Sequence, residues 1–386
     1  MRYELKTLRI VTLRVLAGLM LQTSSILAAD GDQAQPPRPP GRLVDIGGYR
    51  LHLWCMGKEG EGPAVVLIPG AGDFSFTWGL VQPAVAKFTR ACSYDAAGQA
   101  WSDKGPEPRT FKQEAYELRT VLRTAGVNGP YVLVGASLGG IIARVFARDY
   151  PNDVAGMVLV GSTDPDMIGV MALGKTVRIR SLAQKRAIPP VQTMERSPPK
   201  PPTIAEVERL ENYLKFMGEP KVSEPHNLLP PELQKLDTWA RFYQPRAALA
   251  AAKRQLAAME TNQTKAPASG TTNTDYGLGW WPEEFQALYE HEQVEFPLDN
   301  IPLITLISSD KAKPVGQQKG KTGSEEEQRI SEEKAEQHIA QALLSSNGRY
   351  VKIESGHEIH LYQPAWVIEA IRQVVEAARK RTTRHP

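Results

Sequence analysis

The residues best suited to chemistry in this 386-residue chain are Ser137, His357 and a small set of aspartates. Ser137 stands in Gly135-Ala136-Ser137-Leu138-Gly139, a G-x-S-x-G pentapeptide. A serine hydroxyl is a poor nucleophile until a neighbouring base takes its proton, and that base must be oriented by a third group. The pentapeptide alone is common. Here an apolar run, YVLVGAS, precedes it and an amphipathic run, LGGIIARVFARDYP, follows it directly. Strand, sharp turn and helix in that order would lift the hydroxyl above the sheet, with the helix N-terminus aimed at the same point. The bland alternative is a tight strand–helix turn with an inert serine.

The base expected from the sequence is His357, in IESGHEIHL, after a late strand and before the last helix. His360, three residues on, is expected to pack or to cap the next segment. The acid is read as Asp310, just past ITLISS, with Asp164 as its rival and Asp166 beside it, just past MVLVGST. Each of these aspartates could instead be a cap or turn residue. An oxyanion needs two backbone N–H donors. Ala71 or Gly72 in LIPGAGDFSFTW would supply one, and Leu138 the other.

Such residues need a scaffold that brings distant loops to one edge. The runs YRLHLWCMG, PAVVLIPG, TRACSYD, YVLVGAS, VAGMVLVGS, IPLITLISSD and RYVKIESGH read as strands, and helical patterns separate most of the later ones. Strands alternating with helices give an α/β fold with a mostly parallel twisted sheet and helices on both faces. The core is expected over residues 42–164 and 300–380. Between them, 165–299 breaks the pattern, with helical patches near 203–217 and 245–260. That stretch reads as an inserted helical cap, because a compact domain rarely carries so long a loop. Trp280, Trp281, Phe285 and Tyr289 would either line an apolar pocket there or form the core of the cap.

Residues 1–29 read as a cleaved signal peptide, with Arg2, Lys6, Arg9 and Arg14 before an interrupted apolar stretch and small residues before Asp30. That stretch is too short for a stable membrane anchor. Residues 30–41 read as a flexible leader, and the mature chain as periplasmic or secreted. The formal net charge is +3. Four Lys/Arg and one Glu of the first 29 residues account for it, which argues against a nucleic-acid partner. The two cysteines, Cys55 and Cys92, are too few for a metal site and sit in no CxxC pair. They are either bridged or two buried thiols. No metal or organic cofactor is expected; the partner is a small-molecule substrate.

The segments PGAGDFSFTW, CSYDAAGQAWSD, YVLVGASLGGIIARVFARDYP, VAGMVLVGSTDPD and SGHEIHLYQP resemble those of the α/β-hydrolase superfamily, over roughly residues 43–166 and 300–378. The resemblance implies an α/β-hydrolase fold, a nucleophile at Ser137 and a base at His357. Three positions depart from the pattern: Pro69-Gly70 replaces His-Gly, Ala136 replaces a common His, and Gly161 stands where related chains often end the strand with Asp. A serine nucleophile also differs from the aspartate of the haloalkane dehalogenase and epoxide hydrolase branches. The sheet order that the resemblance implies puts the strand of Cys55 beside that of Cys92, and hence a disulfide in an exported protein. The implied activity is hydrolysis of a small or medium carboxylic ester through an acyl-enzyme. Amidase, perhydrolase and carbon–carbon bond hydrolase activities, or a non-catalytic binding protein on the same scaffold, are the alternatives.

Overall fold

The structure, a computed structural model, describes residues 35–59, 62–170, 176–194, 201–261, 281–309 and 325–384. The expected signal peptide, and the leader up to residue 34, lie outside the described residues. Eight strands form one sheet: β1 (Arg42–Asp45), β2 (Arg50–Met56), β3 (Val65–Ile68), β4 (Ala91–Tyr94), β5 (Tyr131–Ala136), β6 (Val154–Val160), β9 (Leu303–Ser309) and β10 (Gly348–Glu354). Their order is β1-β2-β4-β3-β5-β6-β9-β10. The β1–β2 and β2–β4 pairs are antiparallel, and every other pair is parallel.

The central strands are continuous apolar runs because both of their faces are covered. Val66, Ile68, Leu133, Met157 and Leu159 pack on one side. Their partners there include Leu118 of α1 (Phe111–Thr124) and Phe146 of α2 (Leu138–Asp149). Val65, Leu67, Val132, Val134, Val158 and Val160 pack on the other. They meet Val367, Ile371, Val374 and Val375 of the closing helix, Pro364–Arg384. Alternation within each strand thus serves two cores, not one core and solvent. The start of α1 is set by Thr110, whose hydroxyl accepts from the Gln113 N–H at 3.0 Å.

Between β6 and β9 the described residues form a small hairpin, β7 (Ile168–Val170) with β8 (Thr176–Arg178), and the helices α3 (Ile204–Met217), α4 (Pro231–Thr238), α5 (Gln244–Thr261) and α6 (Pro282–Glu292). The hairpin, α4 and α6 are additions to the helical patches expected there. Helices α3 and α5 pack together in one compact unit, with an exposed Lys253–Glu211 ion pair at 2.5 Å between them. After β9 comes α7 (Glu325–Ala340), and after β10 the last helix, α8 (Pro364–Arg384). Among the described residues no helix is long and apolar enough to cross a membrane.

Cys55 of β2 and Cys92 of β4 face each other in register and are joined in a disulfide. The bridge spans a sequence separation of 37 residues. Closing a loop of that length restricts the unfolded chain by ~4 kcal/mol in the chain-entropy model. Replacing both cysteines by alanine is expected to lower the melting temperature clearly while leaving activity in the folded protein. The check is thermal unfolding of the double variant beside the oxidised protein, since equal melting temperatures would show that the bridge contributes nothing.

Candidate active site

The turn from β5 into α2 holds Ser137 at φ 48° and ψ −119°, a positive φ for a residue with a side chain. Non-glycine residues persist in that region only where their surroundings over-determine them. Three backbone bonds do so. Ser137 N–H donates to Val160 O, and its carbonyl accepts from Gly140 N–H and Thr163 N–H, each at 3.0 Å. Gly139 allows the close approach, since a Cβ there would run into the carbonyls of Ile68 and Pro69. The first N–H groups of α2 have no acceptor within the helix, and the Leu138 N–H, at that N-terminus, directly follows Ser137. Ala71 and Gly72 lie in the turn closed by the Asp73 N–H to Gly70 O bond at 3.1 Å, and Gly72 has φ +71°.

His357 follows β10 in a loop tied to the end of β9 by the Ser308 hydroxyl, which donates to Ser355 O at 2.5 Å. Its contact across the sheet edge is Gly161, at φ +52°. A Cβ added to Gly161 would lie 3.0 Å from the His357 carbonyl oxygen, 3.7 Å from Nδ1 and 3.9 Å from Cε1. Gly161 directly follows Val160, whose carbonyl binds the Ser137 N–H. Ser137 and His357 therefore share the C-terminal end of β6. Gly161 is the position on which the histidine loop rests. A side chain there would crowd the His357 carbonyl and would have to adopt a positive φ that side chains rarely take.

Asp310 lies outside the described residues. Asp164 has one oxygen accepting from the Asp166 N–H at 2.8 Å and the other 3.4 Å from Gln341 Nε2. Asp166 is paired with Arg178 and Arg180. Gln341 also reaches Ser162 O at 3.2 Å, and the buried Arg144 donates to Thr163 O at 2.6 Å. Arg144 faces Glu292 at 3.3 Å. Burial pushes the Glu292 carboxyl up to about 7, with the Arg144 charge opposing that rise. The 162–164 segment is thus held by Gln341, just past α7, and by Arg144 of α2, which in turn faces Glu292 of α6.

Histidines outside the expected pair also gather here. His338 of α7 is held below its ordinary range, mainly by burial. The Asp164 carboxylate and the Ser162 backbone counter that shift, while His357 adds to it. His360 is buried against Trp78, with ring centroids 4.7 Å apart, and burial lowers its pKa to about 4. It packs, as expected. Asp73 was not among the expected site residues, yet its Oδ2 is 3.4 Å from the point where a Gly70 Cβ would stand. Ser137 Cβ is 3.2 Å from that same point. His226, in a segment whose sequence carries no periodic signal, places Nε2 3.9 Å from Asp73 Oδ1.

Trp280 lies outside the described residues. Trp281 lies under the Arg186 guanidinium at 4.1 Å, and Tyr289 under that of Arg180 at 3.9 Å. Phe285 is fully buried, edge-on to Phe111 at 5.3 Å. Phe285 is therefore a core residue, and the other two pack against cations.

The family model described as "Alpha/beta hydrolase family" matches residues 65–370. Among curated proteins, the probable transporter efuK of Hormonema carpetanum is 35% identical over 125 residues, 31% of this chain and 18% of that protein. The uncharacterized protein YqjL of Bacillus subtilis is 32% identical over 103 residues, 27% of this chain and 41% of YqjL. The chain thus spans less than half the length of either relative. Two solved structures share the fold over most of both chains. A thermophilic esterase from Thermogutta terrifontis has TM-score 0.51 and 17% identity, covering 88% of this chain and 100% of its own. A probable hydrolytic enzyme from Pseudomonas aeruginosa has TM-score 0.50 and 16% identity, covering 85% and 90%. With the match running over most of its length, from β3 to the middle of the last helix, the chain belongs to the alpha/beta hydrolase family.

Proposed function

We propose that this protein is a serine hydrolase that cleaves a small or medium carboxylic ester through an acyl-enzyme. The observation that carries the reading is the strained Ser137 turn after β5, whose N–H binds the end of β6 on which the His357 loop also rests. In this reading His357 takes the proton of the Ser137 hydroxyl as Oγ bonds to the ester carbonyl carbon. The carbonyl oxygen becomes an oxyanion held by the N–H groups of Leu138 and Ala71. As the carbon–oxygen bond to the alcohol breaks, the imidazolium returns its proton to the departing oxygen. Water then attacks the acyl-enzyme, again through His357, and releases the acid and the free serine. Asp310 is assigned the role of orienting His357 and stabilising the imidazolium. The disulfide supports an exported location, where thiols are oxidised.

The test is labelling with a fluorophosphonate, together with a panel of p-nitrophenyl esters of rising acyl length. The expected result is a single adduct at Ser137 and turnover that peaks at short or medium chains. An intact, folded protein that takes no label would support the binding-protein alternative and overturn this reading.

A further inference from the structure

Ser137 and His357 stand on a common base, the segment from Val160 to Thr163. The Val160 carbonyl takes the Ser137 N–H, the Thr163 N–H returns to the Ser137 carbonyl, and the His357 loop rests on Gly161 between them. The Gly161 N–H donates in turn to Leu306 O of β9 at 2.9 Å. The segment is pressed against the first turn of α2, where a Cβ added to Gly140 would overlap Ser162 Oγ.

Two buried side chains with no part in ester cleavage bind the carbonyls of this base. Gln341, 2% exposed, donates from Nε2 to Ser162 O at 3.2 Å. Arg144, 1% exposed, donates from Nη2 to Thr163 O at 2.6 Å. The Ser162 carbonyl shares its peptide unit with the Thr163 N–H. Gln341 and Ser137 are therefore the two ends of one hydrogen-bonded chain, in which a donor on the carbonyl strengthens the bond made by the N–H. Arg144 closes a ring. From Ser137 the chain runs through α2 to Arg144, across to Thr163, and back by the Thr163 N–H to the strained residue 137.

A guanidinium is a costly way to pack this place. Its counter-ion Glu292, at 3.3 Å, is itself nearly buried, and apolar side chains of similar volume commonly serve stability as well as a buried ion pair does. Arg144 Nη1 finds no acceptor among the described residues, so the charge is not spread over a network. What the arginine supplies is the bond to Thr163 O.

We propose that Arg144 and Gln341 are positioning residues for the nucleophile: they lock the Val160–Thr163 base and, through it, the approach of the Ser137 hydroxyl to His357. This rests on the serine hydrolase reading above and adds to it two residues that act through the backbone.

The experiment measures kcat, KM and the rate of fluorophosphonate labelling for the wild type, for Arg144→Met combined with Glu292→Met, and for Gln341→Met. Removing both charges leaves no buried ion unpaired, so the double variant is expected to fold with a melting temperature near that of the parent. Its kcat and labelling rate are expected to fall by about a hundredfold, the effect of a misplacement of roughly 1 Å at the reacting atoms. KM should stay within about threefold, because no group that binds substrate has changed. Gln341→Met removes one neutral donor and a buried amide oxygen that has no partner. It is expected to fold and to lose about tenfold in kcat, one hydrogen bond's worth, again without a rise in KM. If the double variant does not fold, Gln341→Met decides alone. Folded variants with kcat and labelling within about threefold of the parent, or with the loss in KM only, overturn the positioning role, while wild-type turnover upholds the hydrolase reading. A wild type with neither label nor turnover sinks the two together.

Discussion

Ser137→Ala is expected to lower ester turnover by on the order of a thousandfold or more, with the fold and melting temperature close to those of the parent protein. Removing a triad nucleophile leaves only what the oxyanion donors and substrate binding supply. The substitution is mild for the structure. The side chain makes no cap bond to α2, and the turn is held by the backbone atoms of residue 137, which alanine retains. Alanine must accept the same positive φ, a strain that serine already bears, so no new cost arises. The measurement is kcat/KM on the best p-nitrophenyl ester, with circular dichroism and thermal unfolding on the same preparation. A folded variant retaining more than a tenth of the parent activity would mean that another residue is the nucleophile.

The parts of this site readable from sequence are those whose geometry is local. G-x-S-x-G between an apolar strand and an amphipathic helix specifies a turn, and the turn specifies the direction of one side chain. The apolar runs of β3, β5 and β6 likewise announce strands covered on both faces. What sequence conceals is approach between segments far apart in the chain. Gly161 and His357 meet only because β10 lies two strands from β6 and its loop folds back over the sheet edge. Read in isolation, Gly161 looks like a lost aspartate. His338 sits in SEEEQRISEEKAEQHIA, whose charge pattern describes a solvated helix, yet its ring is drawn in beside Asp164 and Ser162. Asp73 was visible as a residue of the glycine-rich loop, but only the folded turn brings its carboxylate and the Ser137 Cβ to the same side of Gly70. Phe285 shows the converse. An aromatic cluster suggests a pocket lining or a core with equal force, and only packing against Phe111 distinguishes them.

Asp310→Asn is expected to cost about ten-thousandfold in kcat, and Asp164→Asn less than tenfold. An asparagine in place of the triad acid keeps the shape but offers no charge to the imidazolium and permits the wrong histidine tautomer, a loss of about that size in the serine protease case. The choice between the two residues follows from the neighbourhood of the His357 loop. β9 and β10 run parallel with Ser309 opposite Glu354, so the chain leaves both strands side by side. The Ser308 to Ser355 bond then ties the start of the histidine loop to the end of β9. Asp310 is the next residue after that strand end. Asp164 sits one strand further over, with its oxygens engaged by the Asp166 N–H and Gln341, next to Thr163, whose N–H binds the Ser137 carbonyl. An asparagine can keep accepting from the Asp166 N–H, so its loss of charge should register in stability more than in turnover. Both variants should be assayed for kcat across pH 5 to 9 and for melting temperature. If Asp164→Asn is the crippling substitution and Asp310→Asn is nearly silent, the acid belongs to the loop after β6, and His357 is oriented from the Gly161 side.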